Sequence, residues 1–83
     1  MVTFMPSYYY KKLRELREQN DLTQSEIAQI LQTRQEQYSK YELGRREIPV
    51  HHLITLARFY RVSVDYILGL EKNKTRKNNP SDK

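Results

Sequence analysis

Apolar residues between positions 8 and 70 recur at steps of three and four, the spacing of one face of a helix. The stripes defined by this spacing are Tyr9, Leu13 and Leu16; Ile27, Ala28 and Leu31; Tyr38 and Tyr41; Leu53, Leu56, Ala57 and Tyr60; and a short run over 64–68. No stretch alternates apolar and polar residues for long enough to be a strand. The pattern therefore predicts an all-α fold of five helices, the longest of about a dozen residues.

The residues that flank the stripes predict where helices begin and end. Thr23 and Glu26 have the spacing of a capping box, in which each side chain bonds the backbone N–H of the other residue. Gly44 and Gly69 follow the third and fifth stripes, where a left-handed residue stops a helix. Helix three is predicted over residues 34–42, so only two residues separate it from helix two. Two helices joined by so short a turn form a helix-turn-helix arrangement.

The chain divides into three zones. Residues 8–70 hold nearly all the large apolar side chains and are predicted to form one domain. Residues 1–7 lack periodicity and are expected to be a flexible arm. Residues 71–83 contain no large apolar side chain, so we expect a disordered basic tail. Apolar runs of two or three residues exclude a membrane span, and we expect a cytoplasmic protein.

Charge is informative mainly through its placement. The 83-residue chain has a formal net charge of +5, but residues 71–83 alone hold five basic and two acidic residues. Within the domain, four basic residues fall in one short stretch: Arg34, Lys40, Arg45 and Arg46. A basic cluster of this kind is typical of a surface that binds a polyanion.

The residue types that catalysis or metal binding requires are absent or poorly placed. The chain has no Cys, which excludes a thiol nucleophile, a disulfide scaffold and a Cys-type zinc finger. Both Gly residues end helices, so neither is left for a phosphate-binding loop. His51 and His52 are adjacent, do not converge on a metal and are expected to face solvent. We therefore predict no enzyme, no cofactor and no metal site.

Helix three is expected to have an inner and an outer face. The tyrosines expected in the core with outward hydroxyl groups are Tyr38, Tyr41, Tyr60 and Tyr66. The outer face of helix three begins with three polar residues and continues one turn later with a fourth: Arg34, Gln35, Glu36 and Lys40. Gln pairs bidentately with adenine in the major groove of DNA, whereas Arg and Lys suit guanine or phosphate.

Five sequence blocks follow one another through the domain. They are Leu13-Arg14-x-Leu16-Arg17, Leu22-Thr23-Gln24-x-Glu26-Ile27-Ala28, Tyr38-Ser39-Lys40-Tyr41-Glu42-x-Gly44, Ile48-Pro49 and Val62-Ser63-Val64-Asp65-Tyr66-Ile67-Leu68-Gly69. In this order and spacing they resemble the phage repressor/Cro-type helix-turn-helix family, also called the XRE family. The resemblance covers residues 8–70 and implies a five-helix, lambda-repressor-like DNA-binding domain.

The resemblance also implies roles for individual residues in binding double-stranded DNA. The positions that match base-reading residues are Arg34, Gln35, Glu36 and Lys40. The positions that match phosphate contacts are Gln24, Thr33, Arg45 and Arg46. Gln24 is further expected to brace the start of helix three. Arg17 and Glu42 match a partly buried structural ion pair between helices one and three, whose loss costs on the order of 3 kcal/mol.

Two positions depart from the family pattern. Gln32 stands in the turn where many relatives have Gly or Asn, and a left-handed Gln costs about 1 kcal/mol, so we expect a slightly different turn. Glu36 stands where most relatives have an uncharged residue. It either accepts a hydrogen bond from cytosine N4 and so filters sequences, which is favoured, or points away from DNA.

The function that this resemblance implies is a sequence-specific transcriptional regulator of a prokaryote or phage. Repression is favoured over activation, because blocking DNA needs no further surface. We expect a homodimer on a palindromic operator with half-sites about 34 Å apart. The dimer surface is expected on helix five, with Val64, Ile67 and Leu70, or on segment 4–10.

The absence of a predicted domain after residue 70 favours a protein with no small-molecule effector. The alternative is an antitoxin or another protein-binding module that uses the same domain for autoregulation, and a co-expressed partner gene would favour it.

Overall fold

Five helices make up the computed structural model, which describes residues 8–72. They are α1 Lys11–Gln19, α2 Gln24–Leu31, α3 Gln35–Leu43, α4 Val50–Tyr60 and α5 Val64–Leu68. α2 packs against α3 and α4, while α1 packs against α3 and α5, and α5 also contacts α4. The predicted all-α fold of five helices is confirmed. The flexible arm expected over 1–7 and most of the tail expected over 71–83 lie outside the described residues.

One hydrophobic core joins all five helices. The large side chains that are almost completely buried in it are Tyr38, Leu13, Leu16, Ile27, Leu56, Ile67 and Val62. They come from the stripes that the apolar spacing predicts and from the loop before α5, so burial of these faces holds the helices together. None of the helices within residues 8–72 is both long and apolar enough to cross a lipid bilayer.

The capping box and the Gly helix ends predicted from the sequence are present in the structure. The backbone N–H of Glu26 donates to Thr23 Oγ1 over 3.1 Å, and the backbone N–H of Thr23 donates to Glu26 Oε1 over 2.8 Å, which completes the capping box. Gly44 and Gly69 end α3 and α5 with φ angles of 78° and 82°. Only Gly adopts this left-handed conformation without steric cost.

The turn between α2 and α3 is left-handed although its residue is not Gly. Gln32 follows α2 with φ 58° and ψ 45°. The left-handed Gln on which the expected cost of about 1 kcal/mol rests is present. That the turn differs from the turn of relatives stays a prediction. The backbone N–H of Gln32 donates to the Gln29 carbonyl and that of Thr33 to the Ala28 carbonyl, which offsets part of the strain.

Two predictions about neighbouring residues are wrong by one position. Tyr9 is 45% exposed and precedes α1, whereas Tyr10 stands at the N-cap and packs against the core. His52 is 8% exposed and not solvent-facing, because its ring packs beside Tyr41 with centroids 5.8 Å apart. At a helix start, adjacent residues compete for the same inward position, and tertiary packing selects between them.

Two further expectations concern groups that prove to be buried. The hydroxyl groups of Tyr38 and Tyr60 lie inside the protein and do not reach the surface. Ile67 is 1% exposed in the core, so it cannot contribute to a dimer surface. Of the residues proposed on helix five, Val64 is partly buried against the core and Leu70 is 75% exposed.

Candidate nucleic-acid interface

The inner face of α3 is fixed by burial. Tyr38, Tyr41 and Glu42 are the buried residues of this helix, and they follow the spacing of one helix face. The rings of Tyr38 and Tyr41 meet edge to face, with centroids 6.3 Å apart and planes at 84°. Their burial sets the rotation of α3 about its axis, so the opposite side of the helix must face outward.

An ion pair between α1 and α3 also fixes this orientation. Arg17 Nε donates to Glu42 Oε2 over 2.7 Å, and Arg17 Nη2 donates to Glu42 Oε1 over 3.2 Å. The two side chains are only 13% and 4% exposed. Burial, the largest single influence, raises the pKa of Glu42, but the hydrogen bonds from Arg17, Tyr38 and Gln24 and the charge of Arg17 together hold that pKa below its usual value. The carboxylate therefore stays ionised and bound to Arg17.

Gln24 joins the start of α2 to the same carboxylate. Its Nε2 donates to Glu42 Oε1 over 3.0 Å. The brace expected between Gln24 and the start of α3 is thus made to its last turn. An amide nitrogen carries two hydrogens, so the bond to Glu42 leaves Gln24 a second N–H and a carbonyl oxygen for other partners.

The outer face of α3 forms one wall of an open concavity, which we call the α3 groove. It is lined by Gln24, Gln35, Glu36, Ser39, Lys40, Leu43 and Arg45. The α3 members lie at steps of three and four residues and so share one face of the helix. Five of the sequence-predicted site residues therefore meet on one surface: Gln24, Gln35, Glu36, Lys40 and Arg45.

The loop after α3 carries two arginines past the end of the helix. After Gly44 the chain turns back, and the backbone N–H groups of Arg45 and Arg46 approach the Lys40 carbonyl at 2.9 and 3.4 Å. Both arginines are exposed, and Arg45 lines the α3 groove. Arg46 lies next to the groove along the loop.

Thr33 and Arg34 lie in the turn before α3. Arg34 is the N-cap residue and has an extended backbone, so α3 begins one residue later than predicted. Its side chain is exposed and makes no capping hydrogen bond, while Thr33 is partly buried. These two residues stand at one end of α3, and the two loop arginines stand at the other.

Glu36 gives the α3 groove a mixed charge. It is exposed in the first turn of α3 and lines the groove with Lys40 and Arg45, so it does not point away from this surface. Within residues 8–72, no ion pair joins Glu36 to either cation. The groove thus presents a carboxylate acceptor, amide groups and two cations side by side.

Sequence reasoning missed Ser39 and Leu43 as members of this surface. Ser39 follows Gln35 by four residues and Leu43 follows Ser39 by four, so helical spacing alone places all three on one face. Leu43 was overlooked because an apolar residue is ordinarily assigned to the core. It is 50% exposed.

Among the described residues, no three side chains of His, Cys, Asp or Glu are grouped so that they could hold a metal ion. The rings of His51 and His52 do touch, with centroids 4.3 Å apart, but His52 packs into the protein.

Comparisons with known proteins agree with the fold and identify the family. A family model described as helix-turn-helix matches residues 13–67. The chain is 42% identical over 62 residues to the uncharacterised HTH-type transcriptional regulator YobD of Bacillus subtilis, which covers 75% of this chain and 55% of that protein. It is 36% identical over 72 residues to the HTH-type transcriptional regulator ImmR of Bacillus subtilis, covering 87% and 55%.

A solved structure supports the same fold. The crystal structure of a transcriptional regulator from Listeria innocua superposes with a TM-score of 0.68 at 25% identity, covering 83% of this chain and 63% of the other. The chain spans about half the length of the curated relatives that it matches.

Proposed function

The chain belongs to the helix-turn-helix family of the phage repressor/Cro (XRE) type, and from this premise we propose that it binds double-stranded DNA in a sequence-specific manner and represses transcription. The observation that carries the proposal is the α3 groove, which collects exposed polar and basic side chains on one outward helix face. In the proposed complex α3 enters the major groove and α2 crosses the DNA backbone.

The size of α3 suits this geometry. An α-helix with its side chains is about 10–12 Å across, close to the major groove's width of about 12 Å, so α3 can lie within the groove. The buried side chains all lie on the inner face, so the outer face can approach base edges without disturbing the core. The mechanism thus needs no conformational change in the protein.

Base reading is assigned to the side chains at the start and middle of α3. Gln35 presents an amide that can pair bidentately with adenine, and Lys40 one turn later donates to guanine O6 or N7. Glu36 accepts from cytosine N4 and repels other sequences by leaving its charge unpaired near phosphates. Arg34, in the turn, reaches a guanine from the edge of the same face.

Phosphate contacts are assigned to residues at both ends of α3 and at the start of α2. Arg45 and Arg46 flank the C-terminal end of α3, and Thr33 offers a hydroxyl group at its N-terminal end. Gln24 offers the amide hydrogen that Glu42 does not use. Contacts of this kind fix the register of the protein on DNA but carry little sequence information.

A homodimer on a palindromic operator completes the proposal. Two copies would place their α3 helices in successive major grooves, about 34 Å apart along one face of the DNA. Leu70, 75% exposed just after α5, is the most exposed of the residues assigned to a contact between copies at this end of the domain. Occlusion of a promoter by such a dimer represses transcription without any further surface.

Selection of bound fragments from random DNA tests the proposal with the full chain. We expect an enriched inverted repeat whose half-sites are one helical turn apart, about 10 base pairs. Gln35→Ala should relax one base position in each half-site, whereas Gln29→Ala, an exposed glutamine on α2, should return the same motif. Recovery of fragments with no common motif would overturn sequence-specific binding.

A further inference from the structure

Leu43 is the apolar exception on the surface that faces outward from α3. It is half exposed, and every other residue that lines the α3 groove is polar or charged. Leu43 does not belong to the core, nor to the partly buried residues that pack against it. Leu43 is therefore not part of the hydrophobic core of residues 8–72, and half of its surface is open to solvent.

The position of Leu43 follows directly from the packing of α3. Tyr41 and Glu42 are buried, so the next residue is turned away from the core, onto the side that Ser39 and Lys40 occupy. Gly44 ends the helix immediately afterwards, which leaves the leucine at the free edge of the α3 groove. Leu43 thus lines the α3 groove beside Ser39 and Lys40, within reach of a molecule that binds there.

On the base edges of the major groove, the thymine methyl group is the one apolar group that an apolar side chain can contact. Thymine alone carries a methyl group there, at C5, while the other base edges present hydrogen-bond donors and acceptors. We propose that Leu43 is a specificity-determining residue that packs against a thymine methyl group in each half-site. This inference rests on the proposed binding of α3 in the major groove.

The expected size of the effect follows from burial of one methyl group. Removing a buried methyl or methylene group weakens an apolar contact by an amount that corresponds to about fourfold in affinity. Such a contact supplements the hydrogen bonds of Gln35 and Lys40. The contact would make binding at one thymine position sensitive to loss of the C5 methyl group, a change that alters no hydrogen bond.

Uracil scanning of the operator isolates this contact, because deoxyuridine differs from thymidine only by the C5 methyl group. Each thymine of the selected operator is replaced in turn, and affinity is measured for the full chain and for Leu43→Ala. We expect one thymine position in each half-site at which replacement weakens the unmodified protein about fourfold and leaves Leu43→Ala unchanged. Leu70→Ala, an exposed leucine outside the α3 groove, should keep the sensitivity of the unmodified protein.

Two results would overturn the inference. One is uracil sensitivity that is the same in Leu43→Ala at every thymine position. The other is a loss of affinity in Leu43→Ala that is equal on thymine and uracil operators, which would assign the leucine to the sugar-phosphate backbone. Both leave the proposed function intact, whereas failure of the unmodified protein to prefer the operator over random DNA would overturn the proposed function itself.

Discussion

The inner and outer faces of α3 belong to one nine-residue helix and are governed by different constraints. On the inner face, Tyr38 and Tyr41 are packed in the core, and Glu42 is held by Arg17 and Gln24. On the outer face, Gln35 and the other groove side chains are exposed. The core therefore constrains the identity of the inner residues, whereas it does not constrain the outer ones, which are open to contact with a partner.

This contrast predicts that damage to the inner face appears first as lost stability. Arg17→Met removes the cation that neutralises Glu42, and a buried unpaired carboxylate costs about 3 kcal/mol of unfolding free energy. Urea unfolding monitored by circular dichroism measures the loss. The matched control is Arg14→Met, which breaks an exposed pair with Glu18 on the same helix and should leave stability nearly unchanged. Equal small losses in both variants would contradict the structural role of Arg17.

Damage at the edge of the outer face should change DNA affinity and leave stability alone. Arg46→Ala removes the proposed phosphate contact, so binding should weaken on every DNA sequence, and the slope of log affinity against log salt should fall by about 1. Titrations at several salt concentrations measure this slope. Arg58→Ala, which removes an exposed charge on α4, should leave the slope unchanged. An unchanged slope in Arg46→Ala would count against a phosphate role.

A smaller effect is expected for the pH dependence of stability, through His52 of α4, whose ring packs beside Tyr41 on the inner face of α3. Burial of His52, with a lesser effect of neighbouring His51, holds the pKa of His52 below its ordinary value of about 6.5. The unfolded chain therefore binds a proton more readily, and the stability from neutral His52 is lost as pH falls below about 6.5 toward the folded pKa. The free energy of unfolding should decrease as pH is lowered through this range, and the decrease should be smaller in His52→Gln. A profile that is the same in both proteins would contradict this assignment.

Much of the fold was predictable because its signals are local. Apolar spacing located the five helices, Thr23 and Glu26 marked the start of α2, and Gly44 and Gly69 marked two helix ends. These signals act within a few residues of one another. They therefore survive whatever the tertiary packing does.

The misplaced residues are those whose environment depends on other helices. His52 and Tyr10 are buried by contacts that helical spacing does not specify between adjacent positions. The buried Tyr38 and Tyr60 hydroxyl groups lie deeper than the amphipathic character of tyrosine suggests. Gln24, at the start of α2, was expected to brace the start of α3, but its amide binds the Glu42 carboxylate in the last turn of α3. Such contacts appear only once the helices are assembled.

The candidate site was predictable as far as a family resemblance identifies positions. The structure brings five of the eight predicted contact residues together in the α3 groove. Thr33 and Arg34 lie in the turn before α3 and Arg46 in the loop after it, and they do not line the groove. Leu43 was overlooked because exposure of an apolar residue is a property of the folded surface.

The central claim is that the outer face of α3 reads bases directly, and the Gln35→Ala variant tests it most directly. Affinity is measured on the selected operator and on random DNA, with Gln29→Ala as the control. The account predicts a loss of roughly 1–3 kcal/mol on the operator and little change on random DNA. Equal losses on the two DNAs would contradict direct base reading by α3.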